Sequence, residues 1–240
     1  MNSQTSNQQH VDDAARRDLA AALRLAERCG FHEGICNHFS LQIDATRYLL
    51  SPHGIHWSRV CASDILLIDA AAPSGAAELS ALNIHGAIHA QHPDAACVLH
   101  THMPFATTLT CLRDQRLKYI SQNSLRFFDD VAYDDTYNGL AETAAEGARI
   151  AATMAGKRVL FLVNHGVVVT GATVADAWNR LYYLERACEL QVRALSAGQP
   201  LAEIGANLAR RTRAEFDAGA DYAQVHFAAL KDLLDDDYTT

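Results

Sequence analysis

Three histidines in this chain stand where they can share one metal ion. His100 and His102 close the run Ala95-Ala96-Cys97-Val98-Leu99-His100-Thr101-His102, and His165 lies in Asn164-His165-Gly166, at the end of a second apolar run from Val159 to Val163. Residues i and i+2 of a β-strand point to the same face, so a strand that ends in His-Thr-His offers two imidazoles side by side. The Asn-His-Gly corner adds a third on a tight turn, and if the two strand ends meet, three nitrogens hold one divalent ion. Polar groups at the end of an apolar strand cost free energy unless they are used. Imidazole is the commonest ligand of zinc and related ions. Three nitrogens with open positions suit zinc first, and also manganese, cobalt or iron. Any one of these residues alone reads as a hydrogen-bonded core histidine; the close pair with a distant third points to a ligand set. His85 and His89 are i, i+4 on one helix face and by spacing could also ligate. Beside the HxH pair they read as packing or supporting residues.

The elements that must carry these residues follow from the apolar pattern. Ala15, Leu19, Ala22, Leu23 and Ala26 recur at helical spacing up to Gly30. A loop through Gly34 and Asn37 leads into a strand to Ile43, with Tyr48 to Ser51 as its hairpin partner and Ile65 to Asp69 as a short buried strand. Residues 70–81 read as a loop, and a helix then runs from Leu82 to His92, where Pro93 ends it. After the strand 95–101, Pro104 opens a short helix. Residues 112–137 give only short strands. A helix over 140–154 precedes a hairpin of 158–163 and 167–170, and Thr173 caps a long helix through Leu195. Two helices, over about 201–217 and 219–234, finish the pattern.

Half the residues are apolar and a fifth are charged, ordinary for a soluble globular chain, and 240 residues suffice for one large core. The expected organisation is a disordered polar tail over 1–10, one mixed α/β domain over 11–234 and a solvated acidic tail over 235–240. A net charge of −8 argues against nucleic acid as a partner. No apolar run is long enough to span a bilayer and no signal segment is evident, so no membrane is expected and the cytoplasm is the default. The six cysteines show no CxxC spacing and are expected to be reduced.

Several ordered motifs resemble the class II aldolase/adducin family: Gly34-Ile35-Cys36-Asn37-His38-Phe39-Ser40, Ser51-Pro52-His53-Gly54, His85-Gly86-Ala87-Ile88-His89 with His92-Pro93-Asp94, the HxH stretch, Asn164-His165-Gly166 and Tyr183 to Cys188. The resemblance covers about residues 12–200. It implies an α/β fold in three α/β/α layers around a mostly antiparallel central sheet. It also implies a homotetramer with active sites between subunits, and one divalent ion on His100, His102 and His165. The family includes sugar-phosphate aldolases and epimerases, decarboxylases of oxo or aromatic acids, iron-dependent oxygenases and non-catalytic adducins. In the sugar-phosphate aldolases an acid, usually after two serines, lies nineteen positions before the first HxH histidine; here that position is Ala81, preceded by Leu79 and Ser80. The acid is missing from its usual place and the serine pair that holds phosphate is broken.

These departures favour a metal-dependent carbon–carbon lyase, a decarboxylase or aldolase, acting on a small oxo or hydroxy acid without phosphate. Glu78 can replace the missing acid only if its loop is shifted. His38 is a candidate proton donor or carboxylate binder, against a loop-stabilising role. Tyr137 resembles a tyrosine that relatives supply across subunits as a proton donor, against a plain exposed-loop position. Asn37, His53 and Ser80 are candidate substrate-binding residues. Arg126 is a weaker candidate for pairing with an acid, and Tyr182 and Tyr183 read as core.

Overall fold

In a computed structural model the described residues are 2–72, 77–219 and 221–240, with side chains from Asp12 onward. Seven strands, β1 (His38–Gln42), β2 (Arg47–Leu50), β3 (Leu66–Asp69), β4 (Cys97–Thr101), β5 (Val131–Asp134), β6 (Val159–Leu162) and β7 (Gly166–Gly171), form one sheet in the order β3-β2-β1-β4-β7-β6-β5. Every neighbouring pair is antiparallel except β5 with β6. The helices are α1 (Asn2–Arg28), α2 (Leu79–Gln91), α3 (Pro104–Thr110), α4 (Ala144–Thr153), α5 (Val174–Ser196), α6 (Ala206–Ala218) and α7 (Tyr222–Lys231).

Alternation along the central strands separates two helical layers. Phe39, Cys97, Leu99, Val167 and Val169 pack with Leu19, Leu23, Trp178 and Leu181 from α1 and α5. Val98, Leu160, Leu162 and Val168 pack on the other face with Ile84 and Ile88 of α2, Ile150 of α4 and Met154, which follows α4. The resulting α/β/α sandwich has the expected layers and a mostly antiparallel sheet. His38 lies opposite His100 in the β1–β4 register, and His100 lies opposite Val168 in the β4–β7 register. The period of two places His38, Ser40 and His100 on the α2 side of the sheet.

Several boundaries differ from the sequence pattern. α2 starts at Leu79, three residues early, because the Glu78 carboxylate caps it by accepting from the Ser80 and Ala81 amides. Residues 73–76 of the expected 70–81 loop lie outside the described residues. The backbone of residues 2–10, expected as a disordered tail, continues α1, since extending a nucleated helix adds one hydrogen bond for each residue fixed; residue 1 lies outside the described residues. The aspartates of the acidic end are exposed, as expected of a solvated segment, but the end is also anchored: Asp237 pairs with Arg24 at 2.5 Å and Tyr238 is buried. Among the described residues, no helix is long and apolar enough to cross a membrane.

Glu185 of α5 orients the segment that follows the HxH pair. Its buried carboxylate accepts from the Phe105 and Ala106 amides at 2.8 and 2.9 Å, satisfying the first turn of α3. Burial raises its pKa, against the lowering effect of those two hydrogen bonds. Replacing Glu185 with Ala strands two donors and is expected to lower stability in urea denaturation by about 2–3 kcal/mol, whereas Glu185→Gln, which keeps an acceptor, loses less.

Candidate metal centre

The end of β4 and the β6–β7 turn bring His100, His102 and His165 together. One ligand atom from each lies within 4.8 Å of the others, and each pair of ring centroids is 4.8–5.0 Å apart. Asn164 bends the turn with a φ of 56°, a left-handed conformation that Asn tolerates. Gly166 follows because no side chain fits there: a Cβ would lie 2.5 Å from the Thr101 carbonyl oxygen and 2.7 Å from the His102 ring. The absence of one methyl group lets the turn close on the pair.

Hydrogen bonds assign the ring nitrogens. His100 Nδ1 donates to the Val167 carbonyl at 3.0 Å, and His102 Nδ1 donates to the Glu33 carboxylate at 2.5 Å. In the neutral form in which imidazole binds a metal, both rings then present bare Nε2 atoms, which face each other at 3.2 Å. Two lone pairs at that distance repel unless a cation lies between them. Burial pushes the His100 pKa well below its usual value and that of His165 down to about 4, with further lowering from neighbouring histidines, so both favour the neutral form that binds metal. The donor set and its outer partners fit a divalent ion. A second cluster, Glu27, His32 and His56, differs. The Ser58 amide donates to His56 Nδ1, leaving His56 Nε2–H free to donate to His32 Nε2 at 3.3 Å, which accounts for that contact as a hydrogen bond.

His38 lies against His100, with ring centroids 4.9 Å apart and planes 31° from parallel. Burial pushes its pKa down to about 4, opposed by the Glu78 charge. Its Nε2 is 3.5 Å from Ser80 Oγ and 3.9 Å from Glu78 Oε2. Burial would raise the Glu78 carboxyl, but hydrogen bonds from Ser80 and Ala81 hold it below its usual range. Ala81, where the acid was expected, is buried with Tyr48, Leu50 and Ile68. Asn37 is buried, with Oδ1 accepting from the Glu33 amide at 2.8 Å and the His102 amide at 3.4 Å, and its Nδ2 hydrogens have no acceptor.

A family model described as the class II aldolase and adducin N-terminal domain matches residues 17–192. The chain belongs to the class II aldolase and adducin family. It is 34% identical over 195 residues to a Pseudomonas aeruginosa protein whose name places it with the class 2 aldolases, covering 79% of this chain and 74% of that one. It is 33% identical over 196 residues to mouse alpha-adducin, covering 77% of this chain but only 26% of the adducin. The crystal structure of an aldolase II superfamily protein from Pseudomonas syringae superposes with a TM-score of 0.86 at 30% identity, covering 95% of this chain and 96% of that one.

Within this class II aldolase fold, His38, Glu78, Ser80 and Asn37 gather around the three histidines. The other candidates do not join their contacts. His53 is exposed and takes part in none of these hydrogen bonds or ring contacts, and Tyr137 is 52% exposed on the loop after β5. Arg126 belongs elsewhere: it stacks between Tyr183 and Phe216 and lines a cavity of about 490 Å³ at the opposite ends of β4 and β7. Glu33 was missed by the sequence reading, since an exposed acid in a glycine-containing loop carries no periodic signal. Its contact with His102 gives it a measurable role. Glu33→Ala is expected to weaken metal binding by roughly 10–100-fold in a chelator competition titration while leaving the far-ultraviolet circular dichroism unchanged.

Proposed function

We propose that this chain is a metal-dependent carbon–carbon lyase, a decarboxylase or aldolase, acting on a small oxo or hydroxy acid without a phosphate. The carrying observation is the convergence of His100, His102 and His165, with two bare Nε2 atoms 3.2 Å apart, beside the neutral imidazole of His38. A divalent ion on these nitrogens, zinc foremost, supplies a Lewis acid that stabilises the negative charge developing as a carbon–carbon bond breaks. His38 Nε2 is placed to exchange a proton with the substrate. Asn37 Nδ2 is a free donor for the carboxylate. Glu78 holds its negative charge near His38 while capping α2. A phosphorylated substrate fits less well, since Ser80 Oγ is committed to Glu78 at 2.6 Å and none of these side chains is a lysine or arginine.

Elemental analysis of the purified protein is expected to give one divalent ion per chain. Turnover of unphosphorylated hydroxy and oxo acids, followed as carbon dioxide or aldehyde release, is expected to exceed that of sugar phosphates. His102→Ala removes both ion and turnover. A protein without stoichiometric metal, or one that cleaves only sugar phosphates, overturns the proposal.

The proposal extends to a cytoplasmic homotetramer in which a neighbouring subunit supplies Tyr137 as a proton donor, consistent with that residue's exposure in one chain. Tyr137→Phe and His102→Ala, each inactive alone, are then expected to regain activity when unfolded and reassembled together. Random mixing in equal amounts leaves about a quarter of the sites with both residues intact. No recovery in assembled mixed tetramers counts against a shared site.

A further inference from the structure

Beneath His38 lies a buried chain of hydrogen bonds that the lyase proposal does not use. His38 Nδ1 meets His85 Nε2 at 2.7 Å, His85 Nδ1 meets Ser40 Oγ at 2.5 Å, Ser40 Oγ meets His89 Nε2 at 2.8 Å, and His89 Nδ1 meets the Ala95 carbonyl at 3.2 Å. Ser40 and His85 are 0% exposed and His89 is 6% exposed, so ionising the inner imidazoles without a paired anion is costly. With neutral rings, each has one N–H and one bare nitrogen.

One carbonyl sets every direction. The Ala95 oxygen can only accept, so His89 Nδ1 carries the hydrogen and its Nε2 is bare. Ser40 must then donate its single hydroxyl hydrogen to His89, which leaves Ser40 Oγ to accept from His85 Nδ1–H. His85 Nε2 is therefore bare and accepts from His38 Nδ1–H. His38 Nε2 is left without a hydrogen. Its nearest hydroxyl, Ser80, points its hydrogen at Glu78 Oε2, 2.6 Å away, rather than at His38, 3.5 Å away.

We propose that Ser40, His85 and His89 are positioning residues that pass the polarity of the Ala95 carbonyl to His38, fixing it as a proton acceptor at Nε2. The relay deepens, and rests on, the lyase function above, and it selects the aldol direction for His38. The proton of a substrate hydroxyl goes to Nε2, and the O–H electron pair becomes the new carbonyl π bond. The carbon–carbon bond breaks with its pair left on the carbon next to the oxo group, and that carbon then takes the proton back from His38.

Long-range proton–nitrogen NMR on zinc-loaded protein labelled at histidine nitrogens distinguishes the two tautomers without turnover. The wild-type protein is expected to show His38 and His85 as Nδ1–H. His89→Leu removes the acceptor for Ser40, whose hydroxyl then turns to His85; both imidazoles reverse to Nε2–H, with zinc content unchanged and kcat lowered at least about 100-fold. His89→Gln, whose amide oxygen can accept from Ser40, restores the wild-type tautomers and most of kcat. A wild-type His38 found as Nε2–H overturns the relay without any variant, as does a His89→Leu protein that keeps His38 as Nδ1–H. An Nδ1–H His38 in a protein that cleaves no acid supports the relay and counts against the lyase function alone.

Discussion

Three imidazoles near the β4 end, those of His100, His102 and His38, are sorted by groups that can only accept a hydrogen. The Val167 carbonyl orients His100, the Glu33 carboxylate orients His102, and the Ala95 carbonyl acts on His38 through three intermediates. An acceptor-only partner fixes which ring nitrogen is left bare, and in each case the bare nitrogen is Nε2. Two of the three acceptors are backbone atoms, so the chemistry of the site is tied to strand register. The pairing of His38 with His100 and of His100 with Val168 keeps the rings in contact. A one-residue slip of β1 would send His38 and Ser40 to the opposite face of the sheet.

Local, periodic features were legible in the sequence. His100 and His102 announce themselves by alternation, the β6–β7 hairpin by its Asn-His-Gly corner, and α5 by the Thr173 cap, whose side chain accepts from the Asp176 amide. Features that depend on distant partners were not. Glu33 and His102 are 69 positions apart and Ser40 and His89 are 49 apart, and nothing in either local pattern links them. The start of α2 was misplaced because Glu78 looks like one more polar loop residue until its carboxylate is seen to cap the helix. Arg126, the weaker candidate for pairing with an acid, makes its aromatic contacts with Tyr183 of α5 and Phe216 of α6, which its sequence neighbours do not announce. The docking of Asp237 on Arg24 is equally invisible in a run of aspartates.

The family contains both aldolases and adducins, and this chain brings three histidines together while Ala81 stands nineteen residues before His100. Glu78 stands three positions before Ala81, and its carboxylate reaches the neighbourhood of His38 from the cap of α2 rather than from within the helix. A structural duty and a charge near the site are thus combined in one side chain. The histidine face of α2 and its apolar residues Ile84 and Ile88 share the same few turns, so the helix supports the sheet and the relay together.

The burial of Ala81 has a consequence for anyone wishing to convert this protein into a sugar-phosphate enzyme. Ala81 is 1% exposed and packs with Tyr48, Leu50 and Ile68. A glutamate grafted there would begin in a hydrocarbon pocket, where a carboxyl group prefers to remain protonated. An acid at position 81 would therefore need the lining of that pocket redesigned along with it: the packing around Ala81, rather than the single codon, sets the barrier to that change.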